Sequence, residues 1–399
     1  SVLSHTLSKS ATQFIYTSSI GYKIILQGTG FTYDVKGVGN GGTVTQMTIQ
    51  ALDGTTFATA TGLNAGLQRL SSFTFGFDRG TRGYEYPNSW NAVQHLMRGN
   101  DSVTGSAGDD DLTGGRGSDT IMAGAGSDFI TGDAGNDRLD GGIDYDTLSY
   151  RDAIWDNTVD HGINLDAVAN TVVDPWSGHD IISGFERYFD TNFADILRGS
   201  ALDEEFSLTS GNDVLDGRGG FDTVDYSQSW RWGASQGITA NLATGIILDG
   251  WGNTDRGVNV EAIFGTNLND NLTGNALDNF FASGDGVDTV NGGAGRDKVG
   301  FWMVDDSETG HGVIVNLSLA TKNVLDDGFG NVETVTGIED LDGSRFADKL
   351  IGTTGANNLS GSDGNDTLSG GQGNDTLVGD WGNDSILGGL GDDVIIGGV

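Results

Sequence analysis

The sequence predicts an all-β protein whose larger part is a parallel β-solenoid, and two regularities between Gly99 and Tyr150 lead to this prediction. First, an aspartate recurs every nine residues, at Asp101, Asp110, Asp119, Asp128, Asp137 and Asp146. Second, an aliphatic residue follows each aspartate by two positions, at Val103, Leu112, Ile121, Ile130, Leu139 and Leu148. A short repeat that keeps one apolar position is typical of coils that stack on one another along the chain.

Each nine-residue repeat divides into a glycine-rich turn and a three-residue strand. Glycine tolerates the positive φ angles that tight turns require, and the middle residue of each strand is expected to point into the coil. Two repeats complete one coil. Residues 18 apart, such as Leu112 and Ile130, are therefore expected on adjacent strands.

The same stacking places aspartates 18 residues apart side by side on one edge. Carboxylates roughly 4.8 Å apart repel by about 1 kcal/mol in bulk water and about 3.5 kcal/mol at an effective dielectric constant of about 20. A row of such pairs needs a cation between its members. Carboxylate and carbonyl oxygens in an adjustable turn suit Ca²⁺ better than octahedral Mg²⁺. We therefore expect multiple Ca²⁺ ions in these turns.

The repeat reads GGxGxDxUx, and with this motif the chain resembles the RTX family, whose hemolysin-type repeats bind calcium. The resemblance implies a right-handed parallel β-roll with Ca²⁺ held in the turns. It also implies a bacterial protein located outside the cell or on the cell surface and exported by type I secretion.

Composition excludes several other classes of protein. The 399 residues carry a formal charge of −36 with a pI of about 4.1, which argues against nucleic-acid binding. The absence of cysteine excludes disulfides and thiolate metal sites. No run of apolar residues is long enough to predict a membrane span.

Residues 1–98 carry none of the repeat register and are predicted to form a small β-rich domain. Alternating or apolar runs predict strands at Tyr22–Tyr33, Thr43–Ala51, Thr56–Thr61 and Ser71–Phe77. Asp53 and Gly54 are the expected hairpin turn. Asn88–Arg98 is predicted to be a short helix that ends at Gly99.

The nine-residue step resumes three times after Tyr150. The later arrays carry Asp195, Glu204, Asp213 and Asp222; Asp270, Asn279, Asp288 and Asp297; and Asp348, Asn357, Asp366, Asp375, Asp384 and Asp393. The interruptions resemble one another, because Gly162, Gly237 and Gly312 are 75 residues apart and open similar segments. Each interruption ends in a glutamate nine residues before the next array, and an acidic residue stands six positions earlier. We interpret the interruptions as wider coils of the same solenoid.

This pattern predicts five regions. They are the β-rich domain 1–98, the first array 99–150, and three solenoid units at 151–225, 226–300 and 301–399 that carry the second, third and fourth arrays. The last unit is expected to continue beyond the chain.

The resemblance also implies calcium ligands. In RTX rolls an ion is held by the sixth-position aspartate and the carbonyls of positions two and four of one repeat. The repeat 18 residues later adds its aspartate and the carbonyls of positions one and three. In the first array these sets are Asp110, Ser106 and Gly108 with Asp128, Ala123 and Ala125; Asp119, Gly115 and Gly117 with Asp137, Gly132 and Ala134; and Asp128, Gly124 and Gly126 with Asp146, Gly141 and Ile143.

In the last array the implied sets are Asp366, Ser362 and Gly364 with Asp384, Gly379 and Trp381, and Asp375, Gly371 and Gly373 with Asp393, Gly388 and Leu390. Further predicted ligands are Asp101, Asp195, Asp213, Asp222, Asp270, Asp288, Asp297 and Asp348. Asn279 and Asn357 lack the carboxylate, so weaker or empty sites are expected there. The occupancy at Glu204 is left open.

Signs of catalysis are few. Residues 233–237 (GASQG) match the GxSxG motif of hydrolases, but their flanks do not predict the required strand, turn and helix. No histidine belongs to HExxH. His179 and Asp180 could form an acid–base pair, but Asp180 occupies the acidic position that recurs at Asp255 and Glu333, so a structural role is the better interpretation.

Six tryptophans lie in the interruptions, at Trp155, Trp176, Trp230, Trp232, Trp251 and Trp302. They could stack on sugars, or they could cover the flank of a thin solenoid. Exposed rings would favour the first interpretation and buried rings the second.

Together these features predict a non-enzymatic, calcium-binding structural or adhesive module that folds on extracellular Ca²⁺. Its role would be that of a scaffold, surface layer, filament or adhesin. The expected partners are calcium and either further copies of the protein or a cell-surface polysaccharide. The alternative is the non-catalytic part of an RTX enzyme that processes polysaccharides or hydrolyses another substrate.

Overall fold

The computed structural model describes residues 6–9, 13–17, 22–33, 39–51, 56–66, 99–151, 153, 159–306 and 310–398. Within these ranges the regular structure consists of β-strands and two short 3-10 turns, which confirms the predicted all-β class. No helix in these ranges is long and apolar enough to cross a membrane. The chain forms two compact units, Ser1–Phe189 and Asp190–Val399, and each is described by itself.

The first unit begins with five antiparallel strands: β1 (Thr6–Lys9), β2 (Gln13–Thr17), β3 (Tyr22–Tyr33), β4 (Gly39–Ala51) and β5 (Thr56–Gly66). Each strand pairs with the next one along the chain. β3 has the predicted bounds, whereas β4 starts earlier and β5 ends later than predicted. The predicted Asp53–Gly54 turn, Ser71–Phe77 strand and Asn88–Arg98 helix lie outside the described residues.

The first array supplies six short strands: β6 (Ser102–Thr104), β7 (Asp111–Thr113), β8 (Thr120–Ala125), β9 (Phe129–Thr131), β10 (Arg138–Ile143) and β11 (Thr147–Ser149). They alternate between two parallel sheets, β6–β8–β10 and β7–β9–β11. Leu112 lies opposite Ile130, and Ile121 lies opposite Leu139, so the 18-residue step is confirmed. β6 also pairs antiparallel with β5, which joins the N-terminal strands to the roll.

The first interruption contains β12 (Asn164–Asp166), β13 (Thr171–Val173), β14 (His179–Ser183) and β15 (Arg187–Phe189). β14 pairs in parallel with β10, and β15 pairs in parallel with β11, so the roll continues in both sheets. β13 runs antiparallel to both β12 and β14. The interruption is therefore one coil that carries an extra antiparallel hairpin.

The second unit repeats this design twice. Its strands are β16 (Ile196–Arg198), β17 (Glu205–Ser207), β18 (Val214–Asp216), β19 (Thr223–Asp225), β20 (Thr239–Asn241), β21 (Ile246–Leu248), β22 (Thr254–Val258), β23 (Ala262–Phe264), β24 (Asn271–Thr273), β25 (Phe280–Ala282), β26 (Thr289–Asn291), β27 (Lys298–Gly300), β28 (Ile314–Asn316), β29 (Val324–Asp326), β30 (Thr334–Thr336), β31 (Asp340–Asp342), β32 (Lys349–Ile351), β33 (Asn358–Ser360), β34 (Thr367–Gln372), β35 (Thr376–Val378), β36 (Ser385–Leu390) and β37 (Val394–Ile396). The 3-10 turns are Ser229–Trp232 and Trp302–Asp306.

Two faces of this unit differ in strand number. One parallel sheet takes a single strand from every coil, in the order β17–β19–β23–β25–β27–β31–β33–β35–β37. The other strands follow the order β16–β18–β22–β21–β20–β24–β26–β30 and then β29–β28–β32–β34–β36. The pairs β20–β21 and β28–β29 are the inserted hairpins, and they have no counterpart in the first sheet.

The core is thin, because each short strand contributes one fully buried side chain. Leu215, Val290 and Leu350 are completely or almost completely buried on one face, and Phe206 and Phe281 on the other. The predicted inward position is buried throughout the arrays until the last strands. There Ile395 of β37 is 51% exposed, because β37 pairs on one side only among the described strands.

Candidate metal centres in the turns

The aspartates of the arrays form ladders along the turns. The backbone N–H of Asp101 donates to Asp119 Oδ1 at 2.7 Å, and that of Asp119 donates to Asp137 Oδ1 at 2.8 Å. The same bond joins the pairs Asp110–Asp128, Asp128–Asp146, Asp195–Asp213, Glu204–Asp222, Asp270–Asp288, Asn279–Asp297, Asp348–Asp366, Asn357–Asp375, Asp366–Asp384 and Asp375–Asp393. The structure thus brings together the pairs that the 18-residue spacing predicts.

The second carboxylate oxygen of many ladder residues has no hydrogen-bond partner within the described part of the chain. These buried Oδ2 atoms belong to Asp101, Asp119, Asp137, Asp146, Asp213, Asp222, Asp288, Asp297, Asp366, Asp375 and Asp384. A buried carboxylate oxygen without a donor is costly unless a cation or a proton compensates it. The row of such atoms is the main sign of metal sites in this structure.

The glycine at position one of the repeat leaves room where these oxygens converge. A methyl group on Gly114 would lie 2.7 Å from Asp119 Oδ2 and 3.0 Å from the Gly132 carbonyl oxygen. A methyl group on Gly105 would likewise lie 2.9 Å from Asp110 Oδ2 and overlap the Ala123 carbonyl. One carboxylate and the position-one carbonyl of the repeat 18 residues later therefore point to a common spot. This hard-oxygen cradle fits Ca²⁺, and the carbonyl ligands at positions two to four stay a prediction.

Burial makes these carboxyl groups hard to ionise without a cation. It is the first cause that raises the pKa of Asp119 to about 7 and that of Asp137 to about 8. Neighbouring aspartates raise both values further, whereas the backbone hydrogen bond from the preceding ladder residue lowers them. Near neutral pH the metal-free ladder must therefore hold protons or bear the repulsion. A divalent cation removes this conflict.

The ladders continue across the hairpins through acidic residues that the sequence analysis noted but did not count as site residues. Asp180 Oδ1 accepts the Asp137 N–H at 2.8 Å, and Asp255 Oδ1 accepts the Asp213 N–H at 2.9 Å. Glu186, Glu261 and Glu339 accept the N–H groups of Asp146, Asp222 and Asp297 in the same way. Their constant distance from the next array was the signal that could have identified them.

Two of these acids are also bonded to buried tyrosines. Tyr150 donates its hydroxyl to Asp180 Oδ2 at 2.6 Å, and Tyr226 donates to Asp255 Oδ2 at 2.7 Å. Both oxygens of Asp180 and Asp255 therefore have protein donors. This supports the structural interpretation of Asp180 over an acid–base pair with His179.

The two asparagines in the ladder use their side-chain amides as donors to a neighbouring backbone carbonyl. The amide nitrogen of Asn279 donates to the Glu261 carbonyl at 3.2 Å, and that of Asn357 donates to the Glu339 carbonyl at 2.5 Å. An amide can donate where a carboxylate would need a cation. The prediction of weak or empty sites at Asn279 and Asn357 is consistent with this arrangement and stays a prediction.

A second group of buried aspartates stabilises the hairpin turns. Asp249 accepts the N–H groups of Trp251 and Asn253 at 2.9 and 2.6 Å, and Asp174 and Asp327 accept equivalent bonds. These aspartates were absent from the predicted site residues. The shared pattern of an aspartate two positions before an aromatic residue was visible in the sequence but did not indicate a turn cap.

One further ligand was missed, because Asp190 joins the predicted ligands Asp195 and Asp213 in a cluster. Ligand oxygens of Asp190, Asp195 and Asp213 all lie within 4.8 Å of one another, and all three residues are buried. Asp190 occupies position one of its repeat, where most repeats have glycine. An acidic residue at this position was the available signal.

The serine of the GxSxG motif and the tryptophans of the interruptions lie in different surroundings. Ser235 lies between the 3-10 turn Ser229–Trp232 and β20, so its surroundings are not a strand followed by a helix. Trp230 and Trp302 are 50% and 39% exposed, whereas Trp176, Trp232 and Trp251 are half-buried, and Trp155 lies outside the described residues. The exposed rings of Trp230 and Trp302 favour stacking on sugars, and the half-buried rings favour covering the flank of the solenoid.

Comparison with known proteins supports the metal sites. A family model described as the RTX calcium-binding nonapeptide repeat matches residues 97–121, 113–148, 189–224, 264–299, 342–377 and 378–399. These ranges cover the four arrays and not the hairpins. No curated protein matches the chain significantly.

Proposed function

We propose that this chain, whose four arrays match the RTX calcium-binding nonapeptide repeat, is a calcium-dependent structural or adhesive module of a secreted or cell-surface bacterial protein. In this proposal calcium folds the roll outside the cell. The folded roll then serves as a scaffold, surface layer, filament or adhesin segment, without a catalytic role. Its partners are calcium and further copies of the protein or a surface polysaccharide.

The observation that carries the proposal is the ladder of paired carboxylates. Each pair is fixed by a backbone hydrogen bond to one oxygen, while the other oxygen is often buried without a donor. Near neutral pH such a ladder is stabilised when cations lie between its members. Calcium binding is then coupled to folding, because the unfolded chain does not hold the aspartates together.

Composition supports a role for calcium outside the cell. A chain with a formal charge of −36 and only 36% hydrophobic residues has a thin core and strong self-repulsion. Extracellular calcium modules commonly bind with dissociation constants of roughly 0.1 to 1 mM. With such affinities the roll would stay unfolded at low cytosolic calcium and fold after export.

A calcium titration followed by far-ultraviolet circular dichroism tests the proposal. In excess chelator, residues 99–399 should be largely unfolded, and millimolar Ca²⁺ should restore the strand signal cooperatively. A parallel titration with Mg²⁺ is the control and should give little folding at the same concentration. Equal strand content in chelator and in calcium would contradict the proposal.

A second candidate function is the carbohydrate-contacting, non-catalytic part of an RTX enzyme. The exposed ring of Trp230, which stacks 5.1 Å from the Arg231 guanidinium, favours it. Binding of the calcium-loaded chain to immobilised bacterial polysaccharide tests this role. Trp230→Ala should then lose binding, and Trp232→Ala, which changes a half-buried ring, is the matched control.

A further inference from the structure

The turn that opens the second array differs from those that open the third and fourth. Asp190 stands five residues before Asp195, at the position that Gly265 and Gly343 occupy before Asp270 and Asp348. A methyl group on Gly265 would overlap Asp270 Oδ2 and lie 2.5 Å from the Ser283 carbonyl oxygen. This position therefore faces the carboxylate of its own repeat. Asp190 adds a third negative charge at that place.

Hydrogen bonds hold the first two carboxylates of this cluster in place. Thr209 donates its backbone N–H and its hydroxyl to Asp190 Oδ1 at 2.9 and 2.8 Å. Thr191 donates its N–H to Asp195 Oδ2 at 3.0 Å, and its hydroxyl lies 2.9 Å from the same oxygen and 3.1 Å from Oδ1. The two threonines thus hold Asp190 and Asp195 as acceptors.

The third carboxylate supplies an observation that is independent of the clustering. Asp213 Oδ1 accepts the Asp195 N–H at 2.8 Å, while Asp213 Oδ2 is buried without any hydrogen-bond partner in the described residues. Asp213 is 1% exposed, and Asp190 and Asp195 are equally inaccessible. One oxygen from each residue lies within 4.8 Å of the other two. The carboxylate that carries this orphan oxygen therefore belongs to a set of three converging carboxylates.

We propose that Asp190, Asp195 and Asp213 hold one Ca²⁺ ion in a three-carboxylate site that binds more tightly than the two-carboxylate pairs. This inference rests on the proposed calcium function and adds a ligand that the regular repeat lacks. Affinity for calcium rises with the number of charged ligands and with the rigidity of the site. The ion in this cluster is accordingly the last to leave when calcium is removed.

Calcium release tests the proposal on the full chain. The calcium-loaded protein is mixed rapidly with an excess of a fluorescent calcium chelator, and the release phases are resolved. The wild-type chain should show a slowest phase with an amplitude of one ion per chain. Asp190→Asn keeps an oxygen acceptor for Thr209 but removes the charge, and it should accelerate that phase by about tenfold or more.

Asp270→Asn is the matched control, because it removes one carboxylate from a pair that has glycine at position one. It should leave the slowest phase unchanged. If Asp190→Asn fails to fold, Asp190→Gly restores the residue of the regular repeat and should lose the same phase. A slowest phase that survives the change at Asp190 overturns the inference. If the wild-type chain binds no calcium at all, the proposed function itself is wrong.

Discussion

Two hairpins of the second unit rejoin the roll through an acidic residue at the same place, but the two acids have different surroundings. Asp255 accepts the Asp213 N–H at one oxygen and the Tyr226 hydroxyl at the other. Glu333 is 2% exposed, and neither of its oxygens has a hydrogen-bond donor among the described residues. Phe301 stands where the first hairpin has Tyr226, because both residues follow a core strand and donate their N–H to the end of the next strand.

The two hairpins thus differ in whether a tyrosine hydroxyl donates to the acid that continues the ladder. With Tyr226 present, both oxygens of Asp255 accept hydrogen bonds from the protein, and Asp255 stabilises the fold without a cation. With Phe301 in that place, Glu333 faces the Asp288 carboxylate, and only a proton or a cation can join the two groups. Burial, and then Asp288, raises the pKa of Glu333 to about 10, whereas burial raises that of Asp255 only to about 6.

The largest effect is expected from pH in the absence of calcium. Asp255 and Glu333 both have folded pKa values above their ordinary values of 3.8 and 4.5, so the folded chain binds more protons than the unfolded chain. Their contribution to stability is full below about pH 4. It is lost as the pH rises through about 6 for Asp255 and about 10 for Glu333. In chelator, the folded fraction measured by circular dichroism should therefore increase from pH 9 to pH 5.

Saturating calcium provides the control for this measurement, because protons then compete with the metal and acid should weaken binding. The ladder residues Asp137 and Asp288, whose pKa values burial raises to about 8, should move the onset of this competition toward neutral pH. If the folded fraction in chelator did not depend on pH, protonation of the buried carboxyl groups would not stabilise the folded chain, and this prediction would be wrong.

The next effect is expected from removing the charge at the second hairpin. Glu333→Gln should increase the folded fraction in chelator at pH 8, because the folded chain no longer has to bury an acid without a donor. It should also raise the calcium concentration at half-folding on the order of tenfold, since a charged oxygen ligand is lost. Calcium titrations with circular dichroism measure both quantities.

Asp255→Asn is the matched variant at the first hairpin. It keeps an acceptor for the Asp213 N–H and should cost about 1 kcal/mol of the free energy of unfolding with or without calcium. If Glu333→Gln destabilised the chain in chelator as well as in calcium, Glu333 would be a support like Asp255. The contrast between the hairpins would then be wrong.

The smallest effect is expected from exchanging the aromatic residues. Tyr226→Phe removes the hydroxyl that Asp255 accepts and should lower the free energy of unfolding in calcium by about 1 to 2 kcal/mol. Phe301→Tyr is the reciprocal variant and should change stability in calcium by less than Tyr226→Phe. Urea unfolding of both variants in saturating calcium tests this order, and equal losses would show that the hydroxyl has no special role at Asp255.

The regular arrays were predictable because their signal repeats. A fixed nine-residue step aligns Leu112 with Ile130 and Asp119 with Asp137, and one rule for turn and strand then applies to every coil. The hairpins were not predictable in this way. Their strands are as short as those of the roll, and only the pairing partners distinguish β21 or β29 as antiparallel insertions.

The sequence by itself determined that the chain carries RTX calcium-binding repeats and that aspartates 18 residues apart pair, because a short period leaves few ways to stack. Only the tertiary structure decided which acidic residues complete the ladder. Asp180 and Asp255 lie 43 and 42 residues from the aspartates whose N–H they accept, instead of 18, and Asp190 meets Asp213 only after the coil closes. The length of the hairpin sets the distances of Asp180 and Asp255 along the chain, and the nine-residue step that identifies the arrays does not give them.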